Sequence, residues 1–240
     1  MSIITWNDGW TILRRGLDEI WERCEERGDQ WRLKARDYDY LYSTAYNICT
    51  QRTPHNFSEN LYNTLMKYST DLVSFTIASK ISASDDPVKI VQIIQQEHVK
   101  YQKYIKTNQR IFNYLDRYHC KYQQLLLLID AQINIFYKKL IVPYFDIIFQ
   151  YLRIQVSGLI YSPSNRCFNL RNMRKLFNDL HQLDVWLEEV GVLLKAELLT
   201  QKKQLIGNGK TLWVIFTFID ESFPSSHMIF FWLKEEGFMS

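Results

Sequence analysis

From Trp10 to Leu198, apolar side chains return every three or four residues, and the segments that show this period hold almost no glycine or proline. A chain patterned this way can bury one stripe per segment only as a helix. Trp10, Leu13, Leu17, Ile20, Trp21 and Cys24 form the first stripe, which stops near Gly28, a suitable C-cap. A second helix is expected from about Leu33 to Cys49, then a polar joint over 50–56. The third carries Leu61, Leu65, Tyr68, Leu72 and Phe75 on one face. SASDDP (82–87) breaks the pattern, with Asp86 placed to cap and Pro87 at the first helical position. Ile90, Val91, Ile94, His98 and Tyr101 then line a fourth helix, and Ile111, Tyr114, Leu115 and Tyr118 a fifth. Further helices are expected over roughly 123–141, ending before Pro143, over Tyr144–Ile154, and in two more segments to Leu198. That makes about nine helices up to Lys203. With only 8 glycines and 5 prolines in 240 residues, an all-α chain fits better than a turn-rich β fold.

Past Gly207-Asn208-Gly209 the character changes. TLWVIFTFID and HMIFFWLK are aromatic or β-branched without a helical period, so residues 205–240 are expected to form an irregular or short-strand tail. Their aromatics are expected to cover the neighbouring helices.

YDYLYSTAYNICT (38–50) packs four tyrosines into thirteen positions. On a helix Tyr38, Leu41, Tyr42, Ala45, Tyr46 and Cys49 share one broad face. Two readings are open: a core helix whose hydroxyls find local partners, or an interface helix, since tyrosine joins apolar area to a polar tip.

Several function classes are disfavoured. The net charge of +3 is small and its lysines and arginines are dispersed, which argues against nucleic acid. LLLLIDAQINIFYKKLIV (125–142) carries too many polar groups for a lipid-facing span, and LWVIFTFI (212–219) is too short, so no membrane anchor is expected. Cys24, Cys49, Cys120 and Cys167 lie far apart with no C-x-x-C pair, and read as reduced thiols of an intracellular protein. None of the five histidines has a partner at metal-ligand spacing, and His119 and Cys120 point about 100° apart on a helix. No phosphate-binding glycine loop, G-x-S-x-G or H-E-x-x-H occurs. Neither a metal nor a cofactor is expected, and a scaffold is the favoured class over an enzyme. The rival class is a stand-alone helical protein, a truncated gene product or small-molecule binder, marked by a deep apolar pocket with convergent polar groups.

Several segments together resemble the N-terminal region of cullins, the scaffolds of multisubunit ubiquitin ligases. ITWNDGWTILRRGLDEIW (4–21) is similar to the first cullin helix, with its Gly-Trp and later Gly-Leu-x-x-Ile. YDYLYSTAYNICTQRTPHNFSENLY (38–62) follows the family's tyrosine-rich pattern in a form similar to plant cullins of the first class. FNYLDRY (112–118) matches a segment near the end of the first repeat, and 169–180 and 187–203 resemble later helices. The resemblance implies an elongated stack of cullin-repeat bundles of five helices each: a first repeat over 1–121, a partial second over 122–204, and an unrelated tail over 205–240. It also implies a BTB/POZ-fold adaptor of the F-box-binding type, docked on the second and fifth helices of the first repeat, with an F-box protein held through it. Carried over by motif, the docking residues are Asp37, Tyr38, Asp39, Tyr42, Tyr46, Tyr114 and Arg117, while Leu41, Ala45 and Cys49 are assigned to core. Nothing in the 240 residues resembles the RING-binding region of cullins. The expectation is therefore a non-catalytic scaffold linked to ubiquitin-dependent catabolism, recruiting no RING subunit and competing with full-length cullins.

Overall fold

The computed structural model describes residues 3–27, 32–148 and 150–151. Every described element is helical, and among the described residues there is no strand. The expectations for helices beyond residue 151 and for the tail lie outside the described residues. The chain divides into two compact units, one of Met1–Lys80 with Gln96–Leu140, the other of Ile81–Gln95 with Ile141–Ser240.

The first unit opens with α1 (Trp6–Arg27). Thr5 starts it: its hydroxyl accepts from the Asp8 amide at 3.2 Å and donates to the Asp8 carboxylate at 2.6 Å, satisfying one of the free first-turn donors. The stripe read from the sequence is buried, from Leu13 to Cys24. Opposite it runs α2 (Ala35–Thr50), which buries Leu41, Thr44, Ala45, Ile48 and Cys49. The two helices pack antiparallel at two glycines. A Cβ on Gly9 would lie 2.6 Å from Ile48 Cδ1, and one on Gly16 2.5 Å from Leu41 Cδ2. Gly9 and Gly16 are seven residues apart, two helical turns, and so are Leu41 and Ile48. The missing side chains on α1 thus form two sockets at the same spacing as the two branched side chains that fill them.

Asn56 turns the chain into α3 (Ser58–Asp71): its side-chain amide donates to the Cys49 carbonyl at 2.9 Å and its oxygen accepts from the Ser58 amide at 3.1 Å. The helix continues through a widened, π-type turn over Leu72–Ile77 into α4 (Ala78–Ser82). Here one expectation fails. Phe75, placed inward by its spacing from Leu72, is 73% exposed, while Val73 and Ile77 are fully buried. The widened turn accommodates one extra residue, so the inward phase jumps from Leu72 to Val73 and then proceeds by fours to Ile77 and Ile81.

The expected fourth and fifth helices also need correction. Their first part is a single helix, α5 (Pro87–Ile111), with no break after Tyr101. The intervening QKYIKTN contains no breaker, and Tyr104, Ile105 and Asn108 are buried within it. In the second unit Asp86 caps α5 as expected, its carboxylate accepting from the Val88 amide at 2.9 Å. In the first unit a π-type segment follows at Leu115–Cys120. The next helix does not begin at 123. Gln124 takes a left-handed φ of 54°, and α6 (Leu128–Phe136) starts four residues later. A last π-type segment covers Tyr137–Ile141.

Polar bonds cross the core of the first unit. Tyr101 donates to the Gln132 carbonyl at 3.3 Å, and Gln132 donates to Ser69 Oγ at 2.8 Å. Tyr104 meets Trp21 edge-on with centroids 5.5 Å apart. Nearer the surface, Lys80 Nζ lies 2.7 Å from both Glu25 and Glu97, and Lys100 Nζ 2.9 Å from Glu25. Lys100 also sits 3.6 Å above the centre of the Trp21 ring. The two lysines, Lys80 foremost, hold the Glu25 carboxyl down to about 2 from its ordinary 4.5.

Two outcomes follow from this packing. Gly16→Ala should lower stability by about 1–2 kcal/mol in urea unfolding, the overpacking against Leu41 outweighing alanine's better helix propensity. An unchanged or higher midpoint contradicts the close-approach account. Glu25 is ionised more readily in the folded chain, so its contribution is complete above pH 4.5 and is lost as pH falls towards about 2. Half-exposed side chains screen that contribution, so the effect is small. Glu25→Gln should flatten the fall in melting temperature across that window, and parallel curves for both proteins contradict it.

Candidate protein-docking face

α2 buries one side and turns a row of phenols outward at the other edge. Tyr38, Tyr42 and Tyr46 recur every four residues, one above the next on the helix. The first two rings stack at 5.9 Å between centroids and the second two at 6.3 Å. The segment after α5 extends the row. Tyr114 meets Tyr46 edge-on at 4.9 Å, and Tyr118 lies 4.4 Å beyond Tyr114. Five tyrosines drawn from two elements therefore form one continuous ladder. At its other end the Tyr38 hydroxyl donates to the Arg110 carbonyl at 3.3 Å, and the Arg110 guanidinium stands 5.5 Å from the Tyr38 ring centre.

The structure places the seven sequence-derived residues as follows. Tyr38, Tyr42, Tyr46 and Tyr114 are in contact along the ladder. Tyr46 is 39% exposed, whereas Tyr38, Tyr42 and Tyr114 are half-buried. Asp37 and Asp39 flank Tyr38 on α2, and Arg117 lies in the Leu115–Cys120 segment; all three are exposed. Burial, with the phenols of Tyr46 and Tyr118 adding to it, raises the Tyr114 hydroxyl above its ordinary value, so it stays a neutral donor. Leu41, Ala45 and Cys49 are buried, as the sequence reading has them.

Two residues of this face escaped the sequence reading as docking groups. Tyr118 follows Tyr114 by four and could have been added on that spacing. Arg110 could not, because the expected boundary between two helices fell near it. Asp116, inside the YLDR segment, proves to be internal: its carboxylate accepts from the Leu128 amide at 2.8 Å and thereby caps α6. Burial raises its pKa, against the bonds from Leu128 and the Cys120 thiol.

Elsewhere a cleft of about 830 Å³ is lined by Asn47, Thr50, Gln51, Arg52, Thr53 and His55, among others. Its walls bring no carboxylate or thiol to His55, so they offer no acid–base pair or nucleophile. Among the described residues no group of three or more His, Cys, Asp or Glu side chains could hold a metal ion, and no helix is long and apolar enough to cross a membrane.

The first unit is thus an all-helical bundle that carries on its surface an aromatic ladder edged by charge. The model of the cullin alpha solenoid domain matches residues 10–188, and the chain belongs to the cullin family. Cullin-1 of Oryza sativa subsp. japonica is 22% identical over 154 residues, covering 64% of this chain and 19% of that protein. Cullin-2 of Arabidopsis thaliana is 21% identical over 113 residues, covering 47% of this chain and 15% of that protein. The matched stretch thus spans a fifth or less of each of these relatives.

The cap on α6 is open to direct measurement. Asp116→Ala leaves the buried Leu128 amide without its acceptor and should cost about 1–3 kcal/mol in chemical unfolding. Asp116→Asn keeps an oxygen acceptor while removing the buried charge, and should cost distinctly less at pH 7. Equal losses in the two variants contradict the capping role.

Proposed function

We propose that this chain is a non-catalytic docking scaffold that binds a BTB/POZ-fold adaptor of the F-box-binding type through Tyr38, Tyr42, Tyr46, Tyr114 and Arg117, with Asp37 and Asp39 at the rim. The observation that carries the reading is the tyrosine ladder. It joins α2 to the segment after α5 and presents rigid aromatic area with few rotors left to freeze. Arg117 supplies an exposed cation for an acidic rim on the partner. On this reading an F-box protein is held through the adaptor, and the chain acts inside the cell in ubiquitin-dependent protein catabolism.

The division we propose is a first repeat over 1–121 that carries the adaptor face, a partial second repeat over 122–204, and a tail over 205–240. The role proposed for these 240 residues is to hold adaptor, in competition with other cullin chains.

The deciding experiment measures binding of the purified adaptor to the native chain and to a Tyr38→Ala/Tyr114→Ala variant matched for helicity. Loss of these anchors should cost on the order of 2 kcal/mol or more, roughly thirtyfold in affinity. Equal binding by the two proteins, or none by the native chain, removes the adaptor reading.

A further inference from the structure

From the last rung of the ladder onward, the chain exposes a run of apolar side chains that packing within the unit covers only in part. Tyr118 is 59% exposed and Tyr122 85%, and Leu125, Leu126 and Leu127 follow at 39%, 54% and 42%. Single exposed apolar residues are ordinary, but a contiguous group marks a surface for association. These leucines are not on a frayed loop. The Leu126 carbonyl accepts from the Tyr62 hydroxyl at 3.2 Å, the Leu125 amide donates to the Cys120 carbonyl at 2.9 Å, and the Leu128 amide is held by Asp116. Leu127 is extended, with φ −60° and ψ 151°. The backbone is held by these bonds while the side chains are partly exposed, so little backbone freedom remains to be lost when a partner covers them.

The strip continues the ladder, since Tyr118 touches Tyr114 and Tyr122 lies four residues further on. Exposed cations edge it at Arg117 and Lys121; no acidic residue occurs between Asp116 and Asp130, and from α3 the exposed Glu59 carboxylate acts on His119. We propose that Tyr118, Tyr122 and Leu125–Leu127 form a second docking surface, which takes an acidic segment with apolar side chains from the same adaptor that the tyrosine ladder binds. The inference rests on the adaptor reading above and adds a contact to it. Charge selects this occupant over a second copy of the chain, because a two-fold pairing through the strip would place two copies of the same cationic edge, Arg117 and Lys121, in one interface.

The test compares the full chain with a Tyr122→Ser/Leu126→Ser/Leu127→Ser variant. Tyr122 is 85% exposed and Leu126 and Leu127 about half exposed, so helicity should be retained, and binding is compared at a temperature where both proteins are folded. Affinity for the purified adaptor should fall about tenfold. Lys121→Glu should slow association and weaken its salt dependence. Hydroxyl-radical footprinting should find Tyr122 and Leu126 reactive in the free chain and protected in the complex.

Full adaptor affinity in the triple variant overturns this inference while leaving the ladder reading intact. Absence of adaptor binding by the native chain overturns both. Protection of Tyr122 in the free chain overturns it in favour of cover by the chain's own residues. A native dimer that the triple variant dissolves overturns it in favour of self-association.

Discussion

The first unit depends on how closely α1 can approach α2. Gly9 and Gly16 remove two side chains from one face of α1, and Ile48 and Leu41 occupy the space they leave. Because both pairs are seven residues apart, the contact fixes the register of the antiparallel pair as well as its separation. Register is what the surface needs. With Leu41 and Ile48 seated inward, the edge of α2 carrying Tyr38, Tyr42 and Tyr46 is fixed where Tyr114 can reach Tyr46.

A second constraint ties the ladder to the core beneath it. The segment that brings Tyr114 and Tyr118 to the surface also brings Asp116 inside, where it holds the start of α6. Neighbouring residues of one short motif thus serve opposite purposes, Tyr114 and Arg117 facing the exterior and Asp116 and Leu115 the interior. Substitutions in this motif therefore need a stability measurement beside any binding measurement.

Much of this was legible in the sequence. Helix class, the inward residues of α1 and α2, the Asp86 cap and the tyrosine row followed from spacing and end signals. What spacing could not reveal was phase after a widened turn. Phe75 reads as inward from Leu72, yet the π-type segment carries it into solvent, and no residue in LVSFTI announces that change. The split of α5 arose from reading apolar positions too strictly: the polar Asn108 and the polar-tipped Tyr104 are buried and continue the stripe. The two glycines were visible as part of a family pattern. Their purpose became apparent only when α2 was placed against them, since a socket is a property of two helices.

The widened turn over Leu72–Ile77 has a consequence for how this chain tolerates change in length. It takes up one residue more than an ordinary helix would use to connect the same two ends. Excision of a single position there, Phe75 being the one most fully in solvent, would let the segment relax to regular helix. Leu61 and Leu65 before it and Ile77 and Ile81 after it would keep their inward phase. The same excision from α2 would turn every later side chain by about 100° and dismantle the tyrosine row.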